Sequence, residues 1–238
     1  MTTRSTGGAE GSGGTTEPRG LRRVVVGALV GTALEWYDFF IYGTAAALVF
    51  NVLFFPDADP AVGTITAFAT FGVGFVFRPL GGILFGHIGD RIGRRATLIL
   101  TTLVMGLSTG VIGLLPTYDT IGVAAPVLLV LLRVLQGLGA GAEFGGASTL
   151  LAEHAPAHRR GFYCSFAQLG VQVGLVLATV SFLLVGLLPE EELVAWGWRV
   201  PFLVSFLMIG VALYVRLRVE ESPVFRAMAA EQQVIKLP

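Results

Sequence analysis

Four ionisable side chains matter most among those that stand inside largely apolar stretches. Glu35 and Asp38 lie within Leu34-Glu35-Trp36-Tyr37-Asp38-Phe39-Phe40, and Arg133 and Glu143 within the run 121–151. A charge held in hydrocarbon costs about 3 kcal/mol or more, so such groups face one another or a water-filled cavity. Glu35 and Asp38 are three residues apart and share one helix face. At 1.5 Å rise per residue, Glu35 and Arg133 both fall near the middle of their runs, and Glu143 falls further along. A carboxyl and an arginine facing one cavity can exchange a proton or a solute-linked charge as access to water changes. The alternative for Asp38 and Arg133 is a static ion pair that fixes helix packing; for Glu35 it is a place at the helix flank or a bond to a loop. Gln136, Gln168 and Gln172 can hydrogen-bond a solute or serve interhelical contacts. Tyr37, with Trp36 and Tyr42, can line the same cavity or pack as core aromatics.

A second cluster is Gly86-His87-Ile88-Gly89-Asp90-Arg91-Ile92-Gly93-Arg94-Arg95. Two glycines allow a tight turn, Asp90 can cap a following helix, and three arginines can grip acidic groups or helix carboxyl ends. The plainer reading is basic charge that sets membrane orientation alone. Arg78, before Pro79, is expected to satisfy carbonyls that proline frees or to reach toward the interface. His87, His154 and His158 lack metal-ligand spacing, and the single cysteine, Cys164, cannot close a disulfide within the chain. No nucleophile stands beside a base, and no phosphate-binding glycine loop joins a strand to a helix. The sequence therefore implies neither an enzyme nor a cofactor.

The elements that must hold these groups are membrane helices. The chain has 238 residues, 54% hydrophobic and only 13% charged, with a mean hydropathy of +0.76. Apolar runs fall at 24–50, 61–85, 97–116, 121–151, 162–188 and 200–217, each close to the ~20 residues that cross a bilayer. Thirty-two glycines, dense within these runs, suit close helix approach in lipid. The first 22 residues read as a disordered tail, 23–218 as a six-helix bundle, and 219–238 as the start of a connector. With the amino terminus in the cytoplasm, the inside receives Arg4, Arg19, Arg22, Arg23, Arg91, Arg94, Arg95, Arg159, Arg160, Arg216, Arg218, Arg226 and Lys236 out of 16 basic residues. The opposite links carry Asp57, Asp59, Asp119 and Glu190 to Glu192, so both termini are expected in the cytoplasm of a bacterial inner membrane. Trp196 and Trp198 are expected at the outer interface. Sixteen acidic residues balance the basic ones, which leaves no field for nucleic acid.

These residues also form recognisable patterns. Gly86 to Arg95 resembles the G-x-x-x-D-R-x-G-R-R signature of the major facilitator superfamily. Arg133, Gln136, Gly137, Gly139 and Gly141 resemble its fourth-helix signature, and Glu153, Pro156, Arg160 and Gly161 the link after it. Within the superfamily, five further stretches resemble the metabolite:proton symporters. They are Gly31 with Glu35-Trp36-Tyr37-Asp38-Phe39, Phe54-Phe55-Pro56, Arg78-Pro79-Leu80-Gly81-Gly82, Gly197-Trp198-Arg199-Val200-Pro201-Phe202, and Glu221-Ser222-Pro223-Val224-Phe225. Relatives often have Gly-Gly-Glu where this chain has Gly141-Ala142-Glu143.

The resemblance implies an all-α fold, six helices as a 3+3 inverted repeat that form half of a twelve-helix transporter. It also implies alternating access, in which protons drive uptake of a small solute, an organic acid or a zwitterion. Asp38, Glu35, Arg133, Tyr37, Gln136, Gln168 and Gln172 are then candidates for proton coupling or solute binding. Gly86, Asp90, Arg91, Gly93, Arg94 and Arg95, with Glu153 and Arg160, become the cytoplasmic gate. The cavity is expected between this half and a missing carboxyl-terminal half or a second copy. The alternatives are a half-size protein that dimerises or pairs with a separate half, and a membrane sensor or assembly protein that transports nothing.

Overall fold

The computed structural model describes residues 18–218. Residues 1–17 of the tail expected over 1–22, and the connector expected over 219–238, lie outside the described residues, which are mostly helical with no strand. Among the described residues, six helices are long and apolar enough to cross a membrane: α1 (Pro18–Leu48), α2 (Pro60–Ile92), α3 (Arg94–Leu114), α4 (Ala124–His154), α5 (Arg160–Val185) and α6 (Arg199–Leu217).

Helix starts and stops follow local chemistry. Asp59 caps α2 by accepting from the Ala61 amide at 2.9 Å, with Pro60 in the first turn, where a missing N–H costs nothing. Gly122 at φ 58° closes a short turn over Tyr118–Ile121, so α4 begins at Ala124 and not at the expected 121. Helix α1 starts at Pro18, ahead of the expected 23. The link after α2 also differs from expectation: the helix runs straight through Gly86 and Gly89 to Ile92, and the chain turns at Gly93. With φ 99°, Gly93 occupies the region open to glycine and strained for other residues. Asp90 is thus inside α2 and caps nothing; α3 begins from Gly93 without a side-chain cap.

The helices pair in a pattern that reflects an internal repeat. α1 lies along α5 and α2 along α4, the two most extensive pairings, while α3 lies against α6. Exchanging the first three helices for the last three converts the first pairing into the second and leaves α3–α6 unchanged, as an inverted repeat requires. Glycine sets both approaches. A Cβ at Gly170 would stand 2.7 Å from the Leu29 carbonyl oxygen and one at Gly174 2.8 Å from the Tyr37 amide. At Gly137 and Gly141 it would strike the backbone of Gly74 and Arg78. Backbones this close are the small-residue packing that membrane helices use where lipid offers no hydrophobic drive.

The interior is graded. At the α1–α2 link end, Tyr37, Tyr42, Phe50, Phe54, Trp198 and Phe202 anchor a large aromatic core. Trp198 is fully buried there, which overturns its expected place at the interface, because the turn before α6 directs the indole onto Phe50 and Phe54. Trp196 is 48% exposed. At the other end a core of smaller residues joins Val24, Ala28, Leu98, Ala147, Leu150 and Ala167. The charged side chains lie between the two.

Candidate functional site

Asp38 is completely buried on α1. Its Oδ1 accepts from Ser205 of α6 at 2.7 Å and its Oδ2 from Thr109 of α3 at 2.8 Å. The Thr109 proton has one longer alternative, the Met105 carbonyl at 3.1 Å. Gln136 of α4 donates to Thr109 at 2.9 Å, and Arg133, one turn earlier, donates to Gln136. Carboxylate, hydroxyl, amide and guanidinium therefore form one chain across α1, α3 and α4. Asp38 and Arg133 make no direct ion pair. Both are 0% exposed, and the hydrogen-bonded link between them runs through Thr109 and Gln136.

Arg133 is fixed from other sides as well. Its Nε and Nη2 each stand 3.4 Å from the Phe71 carbonyl, and its guanidinium lies over Tyr42, Phe39 and Phe71 at 4.2, 4.5 and 4.9 Å from the ring centres. Aromatic faces attract a desolvated cation, so this arginine is held charged without a carboxylate touching it.

Glu35 points elsewhere. One turn before Asp38 on α1, it meets Arg78 of α2 at 3.1 Å. The pair is close in charge but poor in geometry, since neither Glu35 oxygen and neither Nε nor Nη2 of Arg78 has a hydrogen-bond partner. Arg78 is accordingly not spent on freed carbonyls or on reaching the interface. The guanidinium sits among Phe39, Phe75 and Trp36, at 4.6, 5.1 and 5.5 Å from the ring centres.

A further buried pair joins Glu143 of α4 to Arg216 of α6. Both guanidinium amino groups reach the carboxylate, Nη1 at 3.1 Å from Oε2. Thr101 donates to Oε2 at 3.0 Å, and Arg216 also donates to Thr102 and to the Leu98 carbonyl. Arg216 is 4% exposed. It is thus a helix-packing residue and not one of the basic side chains at the membrane surface, where its sequence position had placed it.

The structure brings together Asp38, Arg133 and Gln136 and keeps the other candidates apart. The Tyr37 hydroxyl donates to the Pro201 carbonyl at 2.8 Å and lies 3.2 Å from Ser181, a strut joining α1 to α5 and α6. Gln168 and Gln172 are exposed on α5, away from the network. At the α2–α3 link, Asp90 pairs with Arg94 at 2.9 Å, Arg95 donates to the Leu217 carbonyl of α6, and Arg160 is exposed. Glu153 Oε2 and Arg91 Nε are buried without hydrogen-bond partners. A cavity of about 200 Å³ among α2, α3 and α4 is lined by Gly86, Gly89, Arg94, Gly141 and Ala142.

Thr109, Ser205 and the pairing of Arg78 were not picked out from sequence, although spacing carried a signal for the first two. Thr102 and Thr109 are seven apart on α3 and Ser205 and Arg216 eleven apart on α6, which puts each pair on one helix face. Nothing local pointed to the pairing of Arg78, because its partner is 43 residues away in sequence.

The family model described as sugar (and other) transporter matches residues 24–234. The chain is 50% identical over 216 residues to the shikimate transporter of Escherichia coli (strain K12), covering 90% of this chain and 49% of that protein. It is 45% identical over 207 residues to the glycine betaine/proline/ectoine/pipecolic acid transporter OusA of Dickeya dadantii (strain 3937), covering 87% and 41%. Among solved structures, the proton:xylose symporter XylE of the major facilitator superfamily, bound to 6-bromo-6-deoxy-D-glucose, superposes with a TM-score of 0.79 at 20% identity, over 92% of this chain and 48% of that one. The chain thus spans about half the length of the curated relatives it matches. It belongs to the sugar (and other) transporter family of the major facilitator superfamily.

Proposed function

We propose that this family member supplies one six-helix half of a proton-coupled symporter for a small metabolite bearing a carboxylate, either an organic acid or a zwitterion, that works by alternating access. The observation that carries the reading is Asp38: a fully buried carboxyl with two hydroxyl donors, no direct counterion, and a relayed link to Arg133. A buried carboxylate without a contacting cation is costly as an anion, and one proton removes that cost while both hydroxyls can still bond to it. Proton arrival would rearrange Thr109 and Gln136, because a protonated oxygen donates where it previously accepted. Arg133 then receives the change through Gln136. This is a two-state element that a proton gradient can bias.

The solute class draws on the relatives: shikimate, proline, glycine betaine, ectoine and pipecolic acid, the compounds in their names, all carry a carboxylate. The bilayer is the bacterial inner membrane, with both termini cytoplasmic and the Asp90–Arg95 segment at the cytoplasmic end, following the basic residues of that link. There Asp90, Arg94, Arg95, Glu153 and Arg160 act as the gate. The remainder of the cavity is contributed by a second six-helix half, a role suited to the exposed Gln168 and Gln172 on α5.

The test is uptake of labelled shikimate or proline into membrane vesicles that carry this chain with a carboxyl-terminal half. Accumulation is expected when the outside is acidified, and an uncoupler should abolish it. Accumulation that ignores the uncoupler would reject proton coupling.

A further inference from the structure

Arg78, Arg133 and Arg216, each set against a buried acid or aromatic cluster within the spans, differ in how completely they are satisfied. Arg216 spends both amino groups on Glu143 and adds Thr102 and the Leu98 carbonyl. Arg133 has Gln136 and the Phe71 carbonyl, and its side chain is wholly buried. Arg78 has only Glu35, through a contact that satisfies no hydrogen bond on either side, and its side chain keeps 19% exposure. Of the three, Arg78 is the one with donors left over and a path to a ligand.

Its surroundings fit a carboxylate. The guanidinium presents paired N–H groups in a plane that matches the two oxygens of a carboxylate. Trp36, Phe39 and Phe75 wall it with aromatic faces, and Phe75 is 43% exposed beside it. Such walls exclude water and hold the fork in one orientation while leaving one approach open. Glu35 occupies the charge but not the geometry, which is the behaviour of a resident counterion that a better-aligned anion can displace.

We propose that Arg78 binds the carboxylate of the transported solute, in exchange for Glu35. The inference rests on the proposed transport of a carboxylate metabolite and assigns the residue that reads it. Once displaced, Glu35 still faces Arg216 from α6, which Glu143 of α4 holds, and has Asp38 on its own helix. Helices α3 and α5 carry their charged side chains only at their ends, at Arg94, Arg95 and Arg160. Because Arg78 and Arg133 both lie against the same ring, Phe39, a change at the carboxylate site bears directly on the arginine that ends the Asp38 relay.

The experiment is a titration of the full chain, paired with a carboxyl-terminal half in lipid nanodiscs, with shikimate, and with methyl shikimate as the uncharged control, following arginine Nε–H resonances by NMR. The Arg78 signal, identified by its loss in Arg78→Lys, should move saturably with shikimate and stay still with the ester. Arg78→Lys should weaken shikimate binding about tenfold, since a point charge replaces the fork, and Glu35→Gln should tighten it several-fold by removing the competing carboxylate. Movement of the Arg133 signal in place of Arg78, equal responses to acid and ester, or no response would each overturn the assignment. The vesicle uptake described above separates the outcomes: accumulation with an unmoved Arg78 refutes this site alone, and absent accumulation refutes the transport reading.

Discussion

Glu143–Arg216, between α4 and α6, and Asp38–Arg133, between α1 and α4, are both a buried acid and arginine, yet they are built in opposite ways. The first pair is in direct contact from both amino groups and closed by Thr101, Thr102 and the Leu98 carbonyl. The second never touches and is joined by a hydroxyl and an amide. A closed pair has a single low-energy arrangement, and removing either partner strands a charge in a medium that cannot solvate it. A relayed pair has intermediates that can turn around, so one proton changes the donor order along its whole length. The contrast assigns stability to one site and work to the other.

The sharpest way to break this contrast is to open the closed pair. Glu143→Ala or Arg216→Ala should each destabilise the fold by about 3–5 kcal/mol, read as loss of folded protein or a large drop in thermal midpoint in detergent. The double replacement Glu143→Leu with Arg216→Met should recover most of that loss. A single replacement that unfolds no more easily than the parent would show that the pair is not structural. Next in size is Gly31→Ala. Its Cβ would collide with the Arg216 guanidinium and approach Glu143 Oε1 within 2.7 Å, so it should cost about 1–3 kcal/mol by the same assay. Smaller still, Thr109→Val should cost about 1 kcal/mol in stability but disconnect Asp38 from Gln136. Its mark is therefore a loss of proton-linked uptake well beyond its effect on the fold, and equal, minor effects on both would argue against a relay.

How much of this was legible in the sequence depends on the range of the interaction. The spans, their number and the glycine-rich faces follow from hydropathy and residue size, which are local properties. Asp38, Glu35 and Arg133 stood out because charge in an apolar run is costly wherever it packs. Their partners did not, because Thr109 and Ser205 look like ordinary membrane-helix hydroxyls until α3 and α6 are placed against α1. The place of the turn within Gly86–Arg95 was not legible for a related reason: glycine permits a turn, but a helix continues through it while its backbone bonds are intact, and of the three glycines in that segment only Gly93 has a positive φ. Arg216 shows the same limit, since a basic residue in a last turn reads as interfacial until a buried carboxylate is found beside it.

The central claim is that Asp38 is the proton-accepting carboxyl, and proton uptake on solute binding tests it most directly. In weakly buffered suspension with a pH-sensitive dye, adding shikimate or proline to the protein paired with its second half should draw protons from solution. Asp38→Asn, which retains size and hydrogen-bonding capacity, should abolish that uptake while leaving the thermal midpoint nearly unchanged. Undiminished proton uptake in Asp38→Asn would contradict the account.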